Sequence, residues 1–166
     1  MTGRQPSEFK NCADLGLIAL DPDDLAVLSA NLQDALVRIA DMAYLPKAKR
    51  FALVAGRFDW IRAVDGEMER CWTGLHFERV LKVCKTGVDQ QASEKILNLL
   101  SISFMETEAP AGYVILTFSG GAALRLEVEC LEAQMHDIGP RWRARAQPDH
   151  PLGEPPESHS TPLGRD

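Results

Sequence analysis

The sequence predicts an α+β domain: one helix in the N-terminal half packed on a twisted, mostly antiparallel meander of about seven strands, a sheet that could curl into a partial barrel. Three observations carry this. A single segment combines helical apolar spacing with a start signal. Most other apolar segments alternate with period two. The links between them are short and rich in turn residues, as hairpins require.

Taken in order, "LGLIAL" (Leu15–Leu20) reads as a short strand. "DPDDLAVLSANLQDAL" follows, with Asp21 as N-cap, Pro22 at the first helical position and acidic residues in the first turn, where they complement the helix dipole. Leu25, Leu28, Leu32, Ala35 and Leu36 then form one apolar face. Met42–Leu45 and Arg50–Trp60 read as a hairpin turning at Pro46–Lys49. Its apolar residues change parity after Gly56, which predicts a bulge there. Cys71–Lys85 reads as one long strand with Leu75, Phe77, Leu81 and Val83 on one side; Arg79 interrupts that side and predicts an end, a bend or an ion pair. Ile96, Leu100, Ile102 and Phe104 mark the next strand, and Tyr113–Phe118 and Leu124–Glu132 close the meander.

The last hairpin contains the most regular stretch, "SGGAALRLEVEC". A three-residue loop at Gly120–Ala122 pairs Phe118 with Leu124, Leu116 with Leu126 and Val114 with Val128, so every apolar side chain shares one face. Arg125, Glu127 and Glu129 then occupy the other side, the wet face that antiparallel sheets commonly have.

The chain of 166 residues, 45% hydrophobic and 25% charged, is predicted to form a single domain over residues 14–145, flanked by a flexible arm (1–13) and a tail (146–166). Six of the ten prolines lie from Pro140 onward among Ser, His, Gly and charges, so the tail is expected to be disordered. No apolar run reaches membrane-span length and no secretory signal is legible, which predicts a soluble cytoplasmic protein. The four cysteines, Cys12, Cys71, Cys84 and Cys130, lack CxxC spacing and read as small buried side chains. The net charge of −6 disfavours general nucleic-acid binding. No nucleotide, hydrolase or metalloprotease motif occurs, and no cofactor or metal is predicted.

Two constellations carry a functional reading. His76 and Glu78 point the same way on a strand, and with Glu127 or Glu129 they could form an acid/base pair or a His-carboxylate metal site. Arg141, Arg143 and Arg145 surround Trp142 and could dock on a partner, or Trp142 could cover the acidic sheet while the arginines balance its charge. His136 and Asp137 read as surface polar residues, and His150 and His159 fall in the tail. A local RNA contact through Lys47, Lys49, Arg50 and Trp142 ranks last.

"LIALDPDDLAVLSANLQDAL", "AYLPKAKRFALVAGRFDW", "LHFERVLKV" and "EAPAGYVILTFSGGAALRLEVECLEAQMHDIGPRW" together resemble an uncharacterised bacterial domain-of-unknown-function family, number 2948, over about residues 15–150. The resemblance implies a small cytoplasmic protein and assigns no activity, cofactor or catalytic residue. The reading that ranks first is therefore a non-catalytic binding or adaptor domain that meets a protein partner through a sheet edge or the Arg141–Arg145 segment. A small metal-dependent or acid/base enzyme built on the His76 and Glu78 cluster is the alternative.

Overall fold

The computed structural model describes residues 15–148. The expectations for the 1–13 arm, for Cys12, and for the tail beyond Pro148 with His150 and His159 lie outside the described residues. The described chain holds ten strands: β1 (Gly16–Ala19), β2 (Ala35–Arg38), β3 (Met42–Leu45), β4 (Arg50–Phe58), β5 (Glu69–Phe77), β6 (Val80–Thr86), β7 (Ile96–Glu106), β8 (Gly112–Phe118), β9 (Ala123–Val128) and β10 (Ala133–Arg143). Helix α1 (Pro22–Asn31) is joined by one short turn of helix, α2 (Trp60–Ala63). All strand pairings are antiparallel, in the order β1-β10-β5-β4-β2-β7-β8-β9-β6, with β3 also paired to β4.

The architecture predicted from sequence is therefore right in kind and three strands short. The Cys71–Lys85 segment is two strands rather than one. Arg79, with φ of 58°, occupies the left-handed region, and the chain turns a corner at Glu78–Arg79. The turn shifts the buried parity, so Val80 is fully buried while Leu81 is exposed.

That corner has a large geometric consequence. Six neighbour steps separate β5 from β6 in the sheet order (β5 to β4, β2, β7, β8, β9, then β6), about 29 Å in a flat sheet. Yet Phe77 and Val80 stand three residues apart, at most about 11 Å. The sheet must roll over on itself, but it does not close: β1 and β6 remain at the ends of its strand order, and β3, paired only with β4, is a further edge among the described strands.

Rolling encloses the core. Leu75 and Phe77 of β5, Leu53 and Phe51 of β4, Leu116 and Phe118 of β8, and Leu126 and Val128 of β9 all point inward. Helix α1 packs against β7 and β1 and contributes Leu25 and Leu28. Asp21 caps it by accepting a 2.8 Å hydrogen bond from the Asp24 amide, with Pro22 at the start, as the sequence predicts. The helix stops at Asn31, short of the expected Ala35 and Leu36. Asp34 takes φ of 60° and donates its amide to the Leu99 carbonyl at 2.7 Å, which turns the chain into β2.

Three further registers differ from the sequence reading. Strand β7 buries Leu97, Leu99 and Ile102 and exposes Ile96 and Leu100, because the ladder shifts between Leu99 and Ser101. Past Leu99, where the pairing with β2 ends, the Ile102 amide donates to Ser29 Oγ of α1 at 2.9 Å. No bulge occurs at Gly56, since β4 pairs continuously with β5 from Phe51 to Phe58. Phe58 is buried on the outer face instead, with the Trp60 ring edge-on at 4.6 Å and the Arg70 guanidinium above it.

The final hairpin turns at Ser119–Gly121, one residue earlier than expected, with Gly120 and Gly121 both left-handed. Leu116 consequently faces Leu124, not Leu126. A pairing offset of two residues preserves the faces, so Leu124, Leu126 and Val128 are buried while Arg125 and Glu127 are exposed. At the start of β8, a Cβ on Gly112 would strike the Met105 carbonyl and lie 2.7 Å from the Phe104 ring.

Replacing Leu28 by Ala should lower the unfolding free energy by about 2–5 kcal/mol, and Asp21 by Ala by about 0.5–2 kcal/mol. Urea denaturation followed by circular dichroism checks both values and their order.

Candidate functional site

The rolled sheet gathers polar groups in three places, and a fourth region is mainly apolar. The first is internal. Arg57 continues the inward row of Phe51, Leu53 and Ala55 on β4, and Asp137 continues that of Ala133 and Met135 on β10. They meet as a forked pair, Arg57 Nε to Asp137 Oδ1 at 3.0 Å and Arg57 Nη2 to Asp137 Oδ2 at 2.6 Å, with side-chain exposures of 2% and 0%. Thr73 Oγ1 donates to Asp137 at 2.7 Å, and the Leu15 amide donates to it at 3.2 Å. Arg141 extends the network, donating to Asp59 at 2.6 Å.

Asp137 is thus the largest departure from the sequence reading: it is the centre of a buried network and not a surface residue. Burial alone would raise its carboxyl pKa, but hydrogen bonds from Arg57 and Thr73 and the Arg57 charge outweigh that and hold it below the ordinary carboxylate value. Burial is likewise overcome at Asp59, by the Arg62 amide and by Arg141. The nearby Cys71 thiol is pushed up, first by burial and then by Asp137, which makes it an inert apolar filler.

The second place holds the sequence-nominated His76 and Glu78. They do meet, His76 Nδ1 lying 3.0 Å from Glu78 Oε1, in a shallow depression that also takes in Glu129 and Glu132. Glu127 does not line it and stands across from Lys82 on β6. Each of the three carboxylates there has a cation: Arg50 on Glu78 at 2.6 Å, Lys49 on Glu129 at 2.7 Å, and Arg79 on Glu132 at 3.3 Å. The Lys49 hydrogen bond holds the Glu129 carboxyl below its usual value. General base work needs a carboxylate or imidazole aimed at open space, whereas these are tied to neighbours. Among the described residues no group of three or more His, Cys, Asp or Glu side chains is placed to hold a metal ion.

The Arg141–Arg145 segment is the third place, and β10 carries it as far as Arg143. Arg141 points into the ion network. Trp142 lies over Gly56, 3.2 Å from where a Cβ would stand, and packs on Trp72 with ring centroids 4.8 Å apart. Arg143 and Arg145 are exposed. Trp142 pairs with Arg70 at one end of β5, while Arg50 binds Glu78 beyond the other, eight residues away or about 26 Å. Lys49, Arg50 and Trp142 therefore do not form one patch, and Lys47 stands exposed at the turn after β3.

The fourth region is a cleft of about 440 Å³ between β3 and β6 that no sequence signal had marked. Its lining includes Met42, Tyr44, Phe51, Val83, Val88 and Leu124, with Lys85 its one charged residue among those described. The Ile39 and Ala40 amides bind the Lys95 and Ser93 carbonyls, which fixes the loop that forms another wall. At one end β6 is pinned to the opposite side: the Val80 amide donates to the Lys49 carbonyl at 2.8 Å, and Tyr44 Oη donates to the Val80 carbonyl at 3.1 Å. Beyond Val80, β6 is paired only with β9 among the described strands.

These features define a rolled antiparallel-sheet domain with a polar plug inside its core and an apolar cleft beside an edge strand. No helix among the described residues is long and apolar enough to cross a membrane. The chain belongs to the family described as Protein of unknown function (DUF2948), whose model matches residues 15–150. No curated protein and no solved structure matches it.

Asp137→Ala leaves Arg57 buried without its counter-charge and should cost about 3–5 kcal/mol, while the joint Arg57→Met and Asp137→Leu variant should regain much of that loss in urea denaturation. The folded-state pKa values of Asp137 and Asp59 lie below the unfolded ones. Their stabilising contribution is thus present above about pH 4–5 and lost as the pH falls through the folded values. The melting temperature should drop over that acid range, and less steeply in the double variant.

Proposed function

We propose that this protein is a non-catalytic binding domain that recognises an extended segment of a protein partner by strand addition at β6. The observation that carries the reading is the outer edge of β6. It offers backbone donors and acceptors beyond Val80, and it borders an apolar cleft able to accept side chains from an added strand. An edge of this kind is usually blunted by lysines, bulges, prolines or a covering segment. Here β6 carries Lys82 and Lys85 and one bulge next to Val80, but no proline, and it runs regularly from Lys82 to Thr86 opposite β9. The His76 and Glu78 depression supports chemistry less well, because each carboxylate lining it already has a cation.

Adjacent residues of a paired strand alternate between donating their amide to the ladder and turning it to the free edge. Of the variants Cys84→Pro and Lys85→Pro, one therefore breaks the β9 ladder and the other removes only an outward donor. Affinity purification from native lysate should recover a stoichiometric protein with the wild type. That protein should be lost with the proline variant that keeps the wild-type melting temperature. Recovery of no stoichiometric partner under several lysate conditions, or its retention by both proline variants, overturns the reading.

A further inference from the structure

The cleft beside β6 constrains what the added strand must look like. Val83 and Lys85 are two residues apart on β6, so their side chains project to the same face, and both line the cleft. A strand laid along the free edge places one residue opposite Val83 and another opposite Lys85, themselves two apart and on that same face. The first meets Val83 together with Tyr44, Phe51 and Leu124, a group that is apolar apart from the Tyr44 hydroxyl, and that hydroxyl is engaged by the Val80 carbonyl. The second meets an ammonium group that no acidic residue of the lining balances.

We propose that the β6 edge selects extended peptide segments in which a large apolar residue and an acidic residue stand two positions apart, the apolar one entering the cleft and the acidic one pairing with Lys85. This rests on the strand-addition reading and adds to it the chemistry of the partner. Lys82 and Cys84 project to the opposite face and leave the intervening peptide position unspecified. The cleft, at about 440 Å³, has room for the largest side chains, so Phe, Trp, Leu and Met all suit the apolar position. Its size and mainly apolar lining with a few polar groups match what binding sites generally require. Charge is what separates this edge from the depression around His76, where lysine and arginine are already matched by carboxylates.

The test is a selection of random twelve-residue peptides displayed on phage against the wild-type protein and against Lys85→Glu, a substitution at an exposed position. Binding of the selected peptides is measured by fluorescence anisotropy, and folding of each variant by circular dichroism. Wild-type selections should be enriched in an apolar residue two positions from Asp or Glu. The charge-reversed variant should bind those peptides roughly three- to tenfold more weakly and should itself select Lys or Arg at the acidic position. Peptides that bind the wild type and are lost on the edge-proline variant, yet show no acidic preference and no response to Lys85→Glu, overturn the partner chemistry and leave strand addition standing. Failure to select any peptide sensitive to the edge-proline variant overturns both.

Discussion

Two residues of chain, Glu78 and Arg79, connect a strand in the middle of the sheet to a strand at its far edge, and much of the molecule follows from that short tether. A flat sheet would hold β5 and β6 several strand widths apart, so the sheet bends until its β6 edge comes back to the corner between β3 and β4. Hydrogen bonds from the Val80 amide to Lys49 and from Tyr44 to the Val80 carbonyl secure that return. The bend converts one face of a single sheet into an enclosed core. It also leaves the cleft, because only the start of β6 is pinned.

Charge is distributed in keeping with this shape. At one end of the core, where the inward rows of β4, β5 and β10 finish, the buried positions become polar: Arg57, Thr73 and Asp137 succeed Ala55, Leu75 and Met135. A buried ion pair at such a place gains little over a well-packed apolar group, but it demands one geometry and penalises any other. Its hydrogen bond from the Leu15 amide, with the Asp137 amide returning to the Leu15 carbonyl, also anchors the start of β1. On the outside, the carboxylates of Glu78, Glu129 and Glu132 are matched by Arg50, Lys49 and Arg79. Such exposed pairs contribute little to stability individually, yet they leave few reactive groups free for chemistry.

The legible part of the sequence was its periodicity. Alternation predicted the strands and the inward set of the last hairpin, and Asp21 with Pro22 predicted the helix start, because these signals depend on residues adjacent in the chain. The same alternation also ran through Arg57 and Asp137, each two residues beyond an apolar core position. That parity was the available signal for the buried pair, but it says which face a residue takes and not whether a partner covers it. Of the candidate site, the His76–Glu78 contact was readable from its two-residue spacing, whereas the Lys49, Arg50 and Arg79 partners that occupy the carboxylates come from elsewhere in the chain.

By itself, then, the sequence determined the antiparallel sheet, the cap of α1 and the outward face of Arg125 and Glu127, all properties written in local order. The sequence marked Arg79 as an end, a bend or an ion pair, and tertiary structure decided that it is a corner between two strands, that α1 yields to β2 at Asp34, that Trp142 covers Gly56, and that a cleft lies between β3 and β6. Each of these requires segments far apart in the chain to compete for the same space. Pairwise contact across that distance is set by the roll of the sheet, which no local pattern encodes.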